Sequence, residues 1–208
     1  MLRCIAILVT AALLSGCATP SSPASHPAPV TADGTVLPLG VEDTGVHYVE
    51  AEWGGWTTVD GCTTREQILR DQGTNVQLGK GCEVLSGSWA SLYDVRPLIT
   101  SPSQLQIDHV VPQHEVAQSG RIVAGNRVGP RVWSSADRRK FHNDKENLLA
   151  VPSELNQLKS DQDPAQWLPA IGRCGYVRTW VDVKTKYDLS ADQAELDAIA
   201  TVLAGCKG

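Results

Sequence analysis

Two runs decide the reading of this chain. They are Ile107-Asp108-His109-Val110-Val111-Pro112-Gln113-His114 and Glu146-Asn147-Leu148-Leu149-Ala150-Val151-Pro152-Ser153-Glu154-Leu155-Asn156-Gln157-Leu158-Lys159-Ser160-Asp161. Leu105 to Val111 reads as a buried strand that delivers Asp108 and His109 at its end. Successive strand side chains point to opposite faces, so these two converge only where the strand ends or bends, and Pro112 is compatible with that. Asn147 opens a second apolar strand, Leu148 to Val151. Ser153 then caps a helix in which Asn156 and Lys159, three residues apart, share one face. Between the two runs lies a basic stretch in which Arg121, Arg127, Arg131, Arg138, Arg139 and Lys140 are offset only by Asp137.

Outward from this centre, Thr63 or Thr64 with Glu66 or Gln67 forms a capping-box pattern that predicts a short helix just after Cys62, ended by Gly73. Residues 76–78 and 83–89 read as two short strands joined through Lys80-Gly81. Tyr48, Trp53 and Trp56 surround Gly54-Gly55; core packing is the commoner use of such residues, a stacking platform the rarer one. A short helix is expected at 114–119. Downstream, Asp163-Pro164 predicts a helix start and Pro169 its end. Tyr176, Trp180, Val183 and Tyr187 recur at helical spacing, and Ser190 with Gln193 caps a last helix carrying Leu196, Ile199, Ala200 and Leu203.

Residues 1–17 have the form of a secretory leader: a positive start, a short apolar run, then small residues. Leu14-Ser15-Gly16-Cys17 resembles a bacterial lipobox, which makes Cys17 the expected lipid-bearing residue and the membrane an expected partner. Residues 18–44, rich in Pro, Ser and Ala, read as a flexible tether, leaving 45–208 as one folded domain with its core at about 105–161. An exported chain permits disulfides, and Cys62, Cys82, Cys174 and Cys206 allow three connectivities. The sequence-local pairing, Cys62–Cys82 and Cys174–Cys206, is the expected one. A zinc module is disfavoured, because no two of these form a Cys-x-x-Cys pair. The formal net charge of −5 over 208 residues argues against a protein that grips nucleic acid with its whole surface.

The strand–strand–helix order with Asp108-His109, Asn147 and Asn156 resembles the HNH (ββα-metal) nucleases, including the HNH domain of CRISPR effector nucleases. A wider pattern is similar to exported members of the GmrSD C-terminal-like HNH endonuclease family. It includes Gly61-Cys62-Thr63-Thr64-Arg65-Glu66, Asn147 to Val151, Asn156, Lys159, Asp163-Pro164, Trp167-Leu168-Pro169 and Cys174.

The resemblance implies an α+β fold: a ββα-metal core with flanking helices and a short N-terminal hairpin, braced by disulfides. It also implies Asp108 and Asn156 as ligands of Mg²⁺ or a similar ion such as Mn²⁺. His109, with an ordinary pKa near 6.5, suits the general base, and the family gives Asn147 the task of orienting it. Expected substrate contacts are Lys159, Arg131, Arg138, Arg139 and Lys140, against DNA cut to 5′-phosphate and 3′-hydroxyl ends with little sequence preference. His114 and His142 fit either auxiliary or surface roles. The rival from another class is a surface-anchored nucleic-acid-binding lipoprotein without turnover. No obligate protein partner is evident.

Overall fold

The computed structural model describes residues 37–206. The leader, Cys17 and most of the tether lie outside the described residues. In chain order the elements are β1 (Thr58–Val59), β2 (Cys62–Thr63), α1 (Thr64–Gln72), β3 (Thr74–Leu78), β4 (Val84–Ser88), β5 (Leu105–His109) and α2 (Gln113–Gln118). Then come β6 (Arg121–Val123), β7 (Asn126–Val128), α3 (Ser135–His142), β8 (Leu148–Pro152), α4 (Ser153–Lys159), α5 (Arg173–Lys186) and α6 (Gln193–Ala204). The fold is mixed α+β: four antiparallel pairs, β1–β2, β3–β4, β5–β8 and β6–β7, packed among helices. Among the described residues no helix is long and apolar enough to cross a membrane.

The pair that matters is β5–β8. It runs in unbroken register from Leu105 opposite Pro152 to His109 opposite Leu148, and α4 follows at once and packs on both strands. The expected strand to Val111 stops at His109. Val110 and Val111 instead turn away, their backbones bonded to Asn147. The basic stretch is an insertion between the strands with structure of its own: α2, the β6–β7 hairpin and α3. Ala124 and Gly125, both with positive φ, make the two-residue turn of that hairpin. Gly129, at φ 106°, lets the insertion close on itself, since a Cβ there would lie 2.9 Å from the Gly120 Cα.

Two hydrophobic cores support the pair. On one side Ile68, Leu69, Trp89, Ile99, Leu105, Ile107 and Leu148 pack together, with the Trp89 indole donating to the Leu69 carbonyl at 2.8 Å. On the other, Val110, Val111, Val116, Phe141 and Val151 meet the buried faces of α5 and α6 through Val177, Trp180, Val181 and Ile199. Lys184, fully buried, ties these helices to α2. Its ammonium donates to Glu115 Oε1 at 2.6 Å, Glu195 Oε2 at 2.7 Å and the Ser190 carbonyl at 3.0 Å. Both disulfides pair locally, Cys62–Cys82 and Cys174–Cys206. In the loop-entropy account each contributes about 3 kcal/mol.

Three expected helix starts are corrected. Residues 163–169 form a single turn rather than a helix: Asp163 Oδ1 accepts from the amides of Ala165 and Gln166, and Pro169 leaves no room to continue. The last helix is capped by Asp192, which accepts from the Glu195 amide at 2.8 Å, and Ser190 caps nothing. Ser153 is the first residue of α4, not its cap; its hydroxyl donates to the Gln104 carbonyl at 2.9 Å.

Candidate active site

The end of β5 opens into a cleft of about 650 Å³. It is lined by Ile107, Asp108 and His109 of β5, by Gln113 and His114 of α2, by Asn156 of α4 with Ser160 and Asp161 just after it, and by Trp56 and His142. Asp108, His109 and Asn156 are therefore brought to one place from opposite ends of the insertion.

Asp108 is nearly inaccessible. Lys159 Nζ donates to its Oδ1 at 2.9 Å, and the buried Tyr93 hydroxyl donates to Oδ2. Burial pushes the Asp108 carboxyl above the ordinary Asp value, while Lys159 and Tyr93 pull the other way. Burial and the Asp108 charge also hold the Tyr93 phenol protonated, well above its usual range. Lys159, expected to meet phosphate, is fully buried and also donates to the His109 carbonyl at 2.9 Å. With no exposed surface it does not reach a substrate in this arrangement.

His109 is held from behind. Its Nε2 lies 2.9 Å from the His142 carbonyl oxygen, which can only accept, so Nε2 carries the proton and Nδ1 keeps a lone pair. Among the described residues Nδ1 makes no hydrogen bond. Burial first, then His142 and Lys159 beside it, push the His109 pKa down to about 3, so the ring is neutral at neutral pH. The Trp56 indole lies nearly parallel to His109, ring centres 5.8 Å apart, and stacks on His142 at 4.3 Å. Gln113 Nε2 donates to His142 Nδ1 at 2.7 Å, which fixes that ring too.

Asn147 is fully buried and does not touch the His109 ring. Its Oδ1 accepts from Val111 N at 2.8 Å, its Nδ2 donates to the Val111 carbonyl at 3.1 Å, and its carbonyl accepts from Val110 N at 2.8 Å. Those bonds pin the two residues after His109. Asn156 Nδ2 donates to Gln106 Oε1 at 2.8 Å, and its Oδ1 accepts no hydrogen bond among the described residues. The donor set suits a hard divalent ion: the amide oxygen of Asn156, and two Asp108 oxygens that each keep a lone pair after accepting one bond. His114 pairs with Asp161 on the rim, with the Tyr48 ring 5.2 Å from the imidazole. Another acidic trio, Glu42, Asp163 and Asp192, has oxygens within 4.8 Å of one another but does not line this cleft.

The basic residues separate. Arg121 pairs with Asp188, Arg127 and Arg131 share Asp43 at 2.6 and 2.8 Å, and Arg138 holds Glu52 at 2.5 Å. None of them lines the cleft. Arg139 and Lys140, both exposed, line a neighbouring recess. Sequence reasoning missed Tyr93, Gln106 and the His142 carbonyl. A backbone oxygen carries no residue signature, and Tyr93 lies in a stretch with no periodicity to single it out. Trp56 was visible as an aromatic beside Gly54-Gly55, without a way to tell platform from core.

A search of solved structures gives no match. The chain is 37% identical over 212 residues to a protein of Arthroderma benhamiae described as an uncharacterized secreted protein, covering 97% of this chain and 98% of that one. The family model for the C-terminal domain of GmrSD restriction endonucleases matches residues 63–202, a range that holds every cleft residue except Tyr48, Glu50 and Trp56. The chain belongs to the family of the GmrSD restriction endonuclease C-terminal domain.

Proposed function

We propose that this chain is an exported, metal-dependent endonuclease of the HNH type that hydrolyses DNA with little sequence preference. The observation that carries this reading is the convergence of Asp108, His109 and Asn156 on one cleft, with His109 fixed in the tautomer a base needs. The family supports a nuclease, and the secreted Arthroderma relative, matched over nearly its whole length, supports export. Cys17, as a lipidated N-terminus, is the proposed anchor.

In the reaction, a water between His109 and the phosphate gives its proton to Nδ1 as its oxygen bonds to phosphorus; the bond to the 3′-oxygen breaks, and that oxygen takes its proton from solvent. Burial makes His109 a weak base, and the approach of an anionic phosphate raises its proton affinity. Asn147 keeps the turn after His109 in place. Lys159 and Tyr93 hold the Asp108 carboxylate in place. A divalent ion such as Mg²⁺ or Mn²⁺, held by Asp108 and Asn156, would supply charge neutralisation at the phosphate and stabilise the departing oxygen.

The test is nicking of supercoiled plasmid with Mg²⁺ or Mn²⁺ and with EDTA. Metal-dependent nicking is expected, and His109→Ala should lower its rate on the order of 10²–10⁴-fold; undiminished nicking by that variant sinks the mechanism. One observation favours the rival reading of a binder without turnover: both Asp108 oxygens already accept a bond. DNA binding without nicking under either ion would decide for it.

A further inference from the structure

Most cations of the insertion are already neutralised, and the two that are not sit together. Arg139 and Lys140 have no carboxylate within ion-pair distance among the described residues, whereas Arg121, Arg127, Arg131 and Arg138 each hold one. Asp137, the acid nearest them in sequence, is committed to the Ser134 cap of α3. The pair lines a recess of about 540 Å³ with Thr57, Ser135, Ala136 and Asn143.

This recess shares a wall with the catalytic cleft. Trp56 and His142 line the cleft, while Thr57 and Asn143, the next residue of each segment, line the recess. The wall is rigid. Asn143 Oδ1 accepts from the Thr57 amide at 2.8 Å and from the Thr64 hydroxyl at 2.6 Å, and Asn143 Nδ2 donates to the Gly55 carbonyl at 3.2 Å. Arg139 and His142 lie three residues apart on α3, ~4.5 Å along its axis at ~1.5 Å per residue. A DNA strand advances ~3.4 Å per nucleotide.

We infer that the Arg139–Lys140 recess is a subsite for the phosphodiester backbone of the bound strand, about one or two nucleotides from the scissile phosphate. The other insertion arginines are scaffold. The subsite reads charge and spacing, not base identity, and so explains how a chain of net charge −5 holds a polyanion next to an acidic cleft. The inference rests on the nuclease reading and names the substrate contact of that same site.

Its test is the salt dependence of binding. The full chain is titrated with a fluorescently labelled oligodeoxynucleotide, single-stranded and duplex, in EDTA across a salt series. Plasmid nicking with Mg²⁺ is measured separately. Arg139→Gln with Lys140→Gln, which keeps the side-chain stems, should weaken binding to every sequence alike and reduce the slope of log K against log salt by about 1–2. Arg121→Gln with Arg127→Gln should leave that slope unchanged. A wild-type slope in the Arg139/Lys140 variant, or an equal loss in the Arg121/Arg127 variant, overturns the subsite; if wild type still nicks plasmid, the nuclease reading survives. Wild-type protein that neither binds nor nicks overturns both.

Discussion

Two lysines are fully buried among the described residues, and their surroundings are alike in kind but not in charge. Lys159 meets one carboxylate, Asp108, and one backbone carbonyl, that of His109. Lys184 meets two carboxylates, Glu115 and Glu195, and the carbonyl of Ser190. The first cluster sums to neutral and borders the cleft, which Asp108 lines with only 3% of its surface exposed. The second carries one excess negative charge once Glu195 is ionised and is sealed between α2, α5 and α6. The difference teaches that one device, an ammonium pinned under a carboxylate, serves the site in one place and the scaffold in the other.

Removing each ammonium should separate these roles. Lys184→Met leaves two carboxylates facing each other in the interior, and a loss of about 3–5 kcal/mol in chemical denaturation is expected. Nicking per folded molecule should be retained, and a variant that is stable but inactive would break the comparison. Lys159→Met should show the reverse: a smaller stability loss, because it orphans one carboxylate where Lys184→Met orphans two, with a fall in metal-dependent nicking. Equal stability losses in the two variants would show that one orphaned carboxylate costs as much as two.

The excess charge gives a third and smaller effect. Burial raises the Glu195 carboxyl from 4.5 to about 7, against the pull of Lys184 and with the push of Glu115. A folded pKa above the unfolded one means that the folded state binds the proton more tightly. The stability it contributes is present in full below pH 4.5 and is lost as pH rises to about 7. Thermal melts should show the midpoint falling across that window, and Glu195→Gln should flatten the slope. A wild-type slope in that variant would place the titration elsewhere.

Much of this arrangement was legible in the sequence, for identifiable reasons. Leu105–His109 stands out by alternation, Leu105 and Ile107 against Gln106, Leu148–Pro152 by a continuous apolar run, and residues 173–186 and 193–204 because their apolar positions keep helical spacing. The disulfide pairing followed from sequence proximity. What failed depended on tertiary geometry. Asp163-Pro164 has the local chemistry of a helix start, but Pro169 comes too soon for a second turn. Lys159 looked like a surface cation until its carboxylate partner from β5 was in place. The basic stretch looked uniform because its counter-charges, Asp43, Glu52 and Asp188, lie far away in sequence. In the cleft, Asp108, His109 and Asn156 could be named from the sequence, whereas Tyr93, Gln106 and the carbonyl that selects the His109 tautomer could not.

The insertion between β5 and β8 also bears on when the cleft can exist. Asp108 and His109 precede it and Asn156 follows it, so the cleft forms only once the chain has closed a long loop and paired those strands. Closure of that kind is an entropic barrier that local contacts do not relieve, which makes the site a late product of folding. Until that loop closes, Asp108 and His109 stay apart from Asn156, and the chain carries its candidate chemistry in pieces.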